Sequence, residues 1–172
     1  LMIEVDDPVY GRMIQPGPMA WLEESGEAML APTPRRKADF DEALSTLRAM
    51  GHGDEIALVD GNYPGAEHAR RLVRADGHGV IRLLDAILSL MPVDDFVDHA
   101  LFRASVRGDL EALDPVHREM MAVCSKWEPE RPLIALPPAE FYTRVKAAHT
   151  IVQPSESRLY GNIVLRKGVI YP

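Results

Sequence analysis

Apolar positions recur at helical spacing in several windows of the chain, with short continuous apolar runs between them. Phe40, Ala43, Leu44, Leu47 and Met50 predict one amphipathic helix, with Asp39 suited to its N-terminal end and Gly51 to its stop. The run Ile56-Ala57-Leu58-Val59, bounded by Glu55 and Asp60, predicts a buried strand that feeds the loop Gly61-Asn62-Tyr63-Pro64-Gly65. A strand over Leu72 to Arg74 precedes the turn Ala75-Asp76-Gly77, and Val80, Leu83, Leu84, Ile87 and Leu88 define a second helix.

Asp114-Pro115 makes a cap and first-turn pair for a third helix, which sets Val116, Met120, Val123, Cys124 and Trp127 roughly along one side. Ile134 to Leu136 is strand-like. Glu140 to Ala148, after Pro137-Pro138, predicts a fourth helix, and His149 to Val152 and Asn162 to Leu165 are two further β-rich pieces. This alternation predicts an α/β domain, a single three-layer unit with a largely parallel or mixed sheet flanked by helices.

Residues 1–37 read differently. Pro8, Pro16, Pro18, Pro32 and Pro34 among Gly11, Gly17 and Gly26 exclude long helices there and suggest an N-terminal extension or fusion remnant, with a strand around Met2 to Val5 and a turn at Gln15-Pro16-Gly17-Pro18. The stretch VDDPVYGRMIQPGP resembles the C-terminal tail of class III CoA-transferases, and the chain opens at Leu1 as a trimmed start would. The domain proper is expected over residues 38–172.

At 172 residues, with 47% hydrophobic and 26% charged positions, the chain suits a globular domain with a sizeable core. Its formal charge of −7 opposes attraction to phosphate backbones and anionic lipid, so neither nucleic acid nor membrane is expected as a partner. The single Cys124 excludes an internal disulfide and points to a reducing, cytoplasmic setting. Val80 to Leu90 carries Arg82 and Asp85 and is too short for a transmembrane span, and the N-terminus has no secretory-signal pattern.

The densest chemistry is Gly51-His52-Gly53-Asp54-Glu55, with Asp60-Gly61-Asn62 beyond the strand. Flanking glycines leave the imidazole of His52 accessible, and an unperturbed histidine exchanges protons near neutrality, which makes His52 a candidate acid or base. Asp60 closes a buried strand, where open α/β sheets hold ligands. The same residues also suit a plain helix-to-strand turn whose groups cap or solvate. A dinucleotide fingerprint is missing; a metal site through His52, Asp54 and Asp60 is conceivable, but no ligand pair of recognised spacing occurs, so no metal is expected. Tyr160-Gly161-Asn162 offers hydroxyl, amide and close backbone approach to a sugar, or simply a turn before a strand. His68, His78, His99, His117 and His149 are read as surface or packing residues, and Cys124 as a buried inert thiol.

Taken together, MGHGDEIALVDGNYP from Met50, RADG from Arg74, FYTR from Phe141 and YGNIVLRKGV from Tyr160 resemble the fucose mutarotase branch of the ribose pyranase and fucose mutarotase family. The resemblance implies a cofactor-free isomerase that interconverts anomers of L-fucose or a related monosaccharide. It assigns His52 as proton donor or acceptor, Asp60 as ligand of a sugar hydroxyl, and Tyr160, Gly161 and Asn162 as the sugar-binding turn. It also matches Asp94 to an acid/base position and Tyr142 to a substrate-binding tyrosine. Bacterial relatives place Arg or His where this chain has Pro138, so a basic sugar contact is lost or replaced, with Arg144 or Arg103 as replacements. The resemblance further implies a homo-oligomer, often a decameric ring, with sites near subunit boundaries. Two alternatives stand beside this reading: a monosaccharide-binding or regulatory protein with weakened turnover, and a ribose pyranase-type ring-form isomerase. A third role, in which the extension recruits a CoA-transferase partner, rests on residues 1–37 alone.

Overall fold

The computed structural model describes residue 42 and residues 45–171. The expectations for residues 1–37, and the part of the first helix that rests on Phe40, Ala43 and Leu44, lie outside the described residues. Residues 45–49 are helical, and the buried Lys167 ends that helix by donating from Nζ to the carbonyls of Leu47 (2.9 Å) and Met50 (2.6 Å).

Ten further elements follow: β1 (Glu55–Leu58), α1 (Gly65–His68), β2 (Leu72–Ala75), α2 (Val80–Leu88), β3 (Leu101–Ala104), α3 (Pro115–Trp127), β4 (Leu133–Leu136), α4 (Pro138–Ala147), β5 (Thr150–Pro154) and β6 (Ile163–Arg166). The strands form one mixed sheet in the order β2-β5-β1-β6-β3-β4. β6 runs antiparallel to both β1 and β3, while the pairs β1–β5, β2–β5 and β3–β4 are parallel.

Alternation along the strands divides the core between two faces. Ile56 and Leu58 join Leu101, Ile163 and Leu165 beneath α2 and α3, while Ala57 and Val59 join Phe102, Ile151 and Val164 beneath Phe141 and Val145 of α4. The result is the expected helix–sheet–helix sandwich. α3 starts as anticipated: the Asp114 side chain accepts from Val116 N, and Pro115 fills the first helical position, where a missing N–H removes nothing. Val116, Met120 and Cys124 are buried, and burial pushes the Cys124 thiol up to about 12. Trp127 departs from the expected apolar side: it is exposed, and its indole N–H donates to Asp85 (2.7 Å).

Two elements differ from the sequence reading. Gly65–His68 forms a helical turn that begins at the last residue of the expected loop, and both it and β3 occupy stretches with no expected element. In Leu-Phe-Arg-Ala, Arg103 interrupts a short apolar run, yet it is buried and sends its guanidinium to the carbonyls of Ala104 (3.2 Å) and Leu110 (2.7 Å). Among the described residues, no helix is long and apolar enough to cross a membrane.

Candidate active site

Because β1, β3, β4 and β5 share a direction, their C-terminal ends gather on one edge of the sheet, together with the N-terminal end of the antiparallel β6. A cavity of about 300 Å³ opens there, lined by Asp60, Tyr63, Ser105, Arg107, Tyr142 and Tyr160, with Asn162 and Pro138 also on its wall. Its size falls at the lower end of small-molecule sites, and its position obeys the rule for open α/β sheets.

Asp60 is fixed before any ligand arrives. Its backbone N–H donates to Asn162 Oδ1 (2.8 Å), its Oδ2 accepts from Asn162 Nδ2 (2.8 Å), and its Oδ1 accepts from Asn62 N (2.9 Å). Tyr63 and Tyr142 form an aromatic side, with ring centroids 5.1 Å apart. The Tyr63 hydroxyl meets His68 Nδ1 at 3.0 Å, and burial, reinforced by Tyr142, raises its pKa to about 12.

The loop before β6 is held from several sides. Gly61 N donates to the carbonyl of Glu156 (2.8 Å), and the Glu156 carboxylate accepts from Arg158 and from Val80 N at the start of α2. The Arg158 hydrogen bonds hold the Glu156 carboxyl down at about 2 in spite of burial. Tyr160 adopts φ 63°, a left-handed conformation uncommon for a residue with a Cβ. His117 secures it. Asp114 N donates to His117 Nδ1 (3.2 Å), so Nε2 carries the proton and donates to the carbonyl of Tyr160 (3.1 Å). His117 is fully buried, and burial, then nearby Arg103, lowers its pKa and keeps it neutral.

His52 occupies the opposite end of β1. Gly53 N donates to Lys167 O (2.8 Å) and Lys167 N to Asp54 O (2.8 Å), which ties the glycine-flanked turn to the end of β6. His52 Nε2 lies 3.0 Å from Asp94 Oδ1; the imidazole is 43% exposed and the carboxylate 0%. Asp94 also accepts from Phe96 N (3.0 Å) and Arg166 Nε (2.7 Å). Burial alone would raise its pKa, but the Arg166, Phe96 and His52 hydrogen bonds outweigh burial and hold it at about 2. At neutral pH Asp94 is therefore an anion that accepts from Nε2–H, which leaves His52 Nδ1 as the ring nitrogen free for proton exchange.

Residues 41–170 match the model of the RbsD / FucU transport protein family. The chain belongs to the RbsD/FucU family. Among its RbsD/FucU relatives, human fucose mutarotase is 39% identical over 135 residues, covering 75% of this chain and 88% of that protein. The L-fucose mutarotase of Haemophilus influenzae (strain 86-028NP) is 40% identical over 131 residues, covering 74% and 90%. The crystal structure of the fucose mutarotase of Streptococcus pneumoniae in complex with L-fucose superposes with a TM-score of 0.69 at 36% identity, over 81% of this chain and 95% of that one.

Within this RbsD/FucU fold, the residues singled out from the sequence fall into two groups. Asp60, Tyr142, Tyr160 and Asn162 line the cavity, whereas His52 and Asp94 pair with each other at the far end of the sheet. The extended residues between His52 and Asp60 separate the groups by roughly 20 Å at about 3.3 Å per residue. Gly161 adjoins the first group without lining the cavity; a Cβ there would come within 2.9 Å of Glu156 Cγ, so its smallness serves packing. Arg103 and Arg144 do not replace the basic group absent at Pro138. Arg103 serves the carbonyls of Ala104 and Leu110, and Arg144 bonds Glu55 and stacks over Phe102. Tyr63, Ser105 and Arg107 were not read from the sequence; only the pairing of β3 with β4 and β6 brings the last two to the cavity.

Proposed function

We propose that this protein interconverts the α and β anomers of L-fucose, or of a closely related monosaccharide, by ring opening and closure driven by proton transfer. The observation that carries the reading is the convergence of Asp60, Asn162, Tyr160 and Tyr142 on one cavity of monosaccharide scale at the C-terminal edge of the sheet. Relatives named fucose mutarotase, and one solved with L-fucose bound, support the choice of sugar.

Ring opening requires a proton at the ring oxygen and removal of the anomeric hydroxyl proton; the bond from the anomeric carbon to the ring oxygen breaks, and the open aldehyde rotates and recloses on its other face. Acid and base assistance of about 10²–10⁴ each suffices for a reaction that already runs in water. Asp60, preset by Asn162 and Asn62, accepts from a sugar hydroxyl, and the tyrosines cover the apolar edges of the ring. His52 serves as one proton carrier at Nδ1, with Asp94 orienting it through Nε2, and water held in the site serves as the other, so that one supplies the ring-oxygen proton while the other receives the anomeric hydroxyl proton. Asp94 has a carboxyl near 2 and three donors on it, which suits an anchor better than a proton relay.

His52 is exposed and remote from the cavity of its own chain, which favours an arrangement in which it reaches the cavity of a second copy. A closed homo-oligomer accords with this arrangement, with the decameric ring that the family resemblance implies as its expected form, and the lone buried Cys124 accords with a cytoplasmic setting. A second reading, sugar binding with weakened turnover, draws on Pro138: it lines the cavity at the first position of α4 and carries no side-chain donor.

Polarimetry separates the two. Freshly dissolved crystalline L-fucose should reach its equilibrium rotation faster in proportion to added protein, and His52→Ala should remove the acceleration. Binding of L-fucose without acceleration would favour the second reading.

A further inference from the structure

Ser105 and Arg107 lie just beyond β3, at the start of a two-residue hairpin. Val106 and Asp109 exchange both backbone hydrogen bonds, at 3.2 and 2.9 Å, and the two residues between them, Arg107 and Gly108, have φ 53° and 86°. Turns of this hand favour Gly, Asn or Asp at both central positions. Gly108 conforms; Arg107 does not. Among the described residues, the non-glycine residues with positive φ are Arg107 and Tyr160, and both line the same cavity. Backbone strain of this kind concentrates at ligand sites.

The side chains add two independent observations. The Arg107 side chain is exposed and its guanidinium makes no hydrogen bond or ion pair among the described residues, which leaves it available to a ligand of the cavity it lines. Ser105 is 4% exposed, lines the cavity, and its Oγ is a buried side-chain polar atom without a partner among the described residues. Its backbone N–H donates to Leu136 O (3.3 Å), which ties it to the end of β4 just ahead of Pro138, another residue of the cavity wall. Buried hydroxyls are almost always satisfied, so an unsatisfied one on a cavity wall marks a place for a ligand oxygen.

We infer that Ser105 Oγ and the Arg107 guanidinium form a second polar wall of the cavity, distinct from Asp60 and Asn162, that donates to hydroxyl oxygens of the bound neutral monosaccharide and sets its specificity. Asp60 takes hydroxyl hydrogens on one side, and this wall gives hydrogens on the other. The inference rests on the proposed sugar reading.

Ser105→Ala and Arg107→Gly test it, because each removes a donor while relieving the free protein: alanine removes an unpaired buried hydroxyl, and glycine accepts φ 53° without penalty. With L-fucose as substrate, each variant should raise KM about tenfold with kcat within about twofold, at a Tm no lower than that of the wild type. Arg107→Lys, which keeps the charge, should give an intermediate KM. If the wild type accelerates anomer exchange while both variants keep its KM, the second wall is wrong and the mutarotase reading stands. A KM rise that tracks a loss of Tm in both variants also overturns the wall. No exchange of L-fucose by the wild type overturns both.

Discussion

Asp60 and Asn162 hold each other through a reciprocal pair of 2.8 Å hydrogen bonds, one through the Asp60 backbone N–H and one through its carboxylate. Residues 102 apart in sequence are thereby locked at adjacent strand ends, β1 and β6, with the carboxylate presented to the cavity. Asn162→Asp keeps the shape but replaces a donor with a second carboxylate beside the first. We expect it to abolish sugar binding and lower stability by about 1–3 kcal/mol, the cost of a buried polar group left unpaired, as read by urea unfolding and an L-fucose titration. Wild-type affinity in this variant would remove Asp60 from the site.

Asp94 makes stability depend on acid in a defined window. Its pKa falls from 3.8 to about 2 on folding, so its contribution is fully present above about pH 4 and is lost as pH falls toward 2. Asp94→Asn should be less stable than the wild type at pH 7, and the difference should close by about pH 2 in denaturant titrations at a series of pH values. The same variant should slow anomer exchange at neutral pH, because the His52 tautomer loses its anionic acceptor. An unchanged exchange rate would free His52 of its partner.

His117 acts in the same sense as Asp94, at higher pH. Burial depresses its pKa below 6.5, so the unfolded chain binds the extra proton first, and its contribution is intact above about pH 6.5 and lost as pH falls below that value. His117→Gln, with an amide able to donate to Tyr160 O, should flatten the stability profile between pH 7 and 5 and retain sugar binding. His117→Ala should flatten the same profile but weaken binding, since the Tyr160 backbone loses its donor. Equal binding by the two variants would show that His117 does not position Tyr160.

The separation of His52 from the cavity makes a complementation test direct. His52→Ala and Asn162→Ala are each expected to be inactive alone. Unfolding and refolding them together should recover a fraction of activity, because some assembled sites then combine an intact His52 from one copy with an intact cavity from another. Recovery of none, with mixed oligomers demonstrated by mass, would contradict a site shared between copies.

Much of the fold was legible because burial writes itself locally. Ile56-Ala57-Leu58-Val59 is continuous because β1 lies between β5 and β6 with helices on both faces, and Asp114-Pro115 marks its helix through capping chemistry alone. β3 was hidden because its buried Arg103 breaks the apolar run and is satisfied by the carbonyls of Ala104, its own neighbour, and of Leu110, beyond the strand, a pairing that no local pattern encodes. Tyr160, Asn162 and Asp60 carry suitable groups at strand ends and could be named in advance. Arg107 and Ser105 could not: Arg in a left-handed turn looks like an ordinary exposed charge, and the missing partner of Ser105 Oγ exists only once β3 pairs with β4 and β6. The contact between His52 and Asp94 likewise depends on the register of β1 against β6.

Saturation transfer between the anomeric protons of L-fucose at equilibrium addresses the central claim with the fewest intermediaries. Irradiating the α signal should deplete the β signal in proportion to the concentration of wild-type protein, and Asp60→Asn and His52→Ala should leave only the slow exchange of the buffer. Depletion that is independent of protein concentration, or equal in all three proteins, would contradict the assignment of anomer exchange to this site.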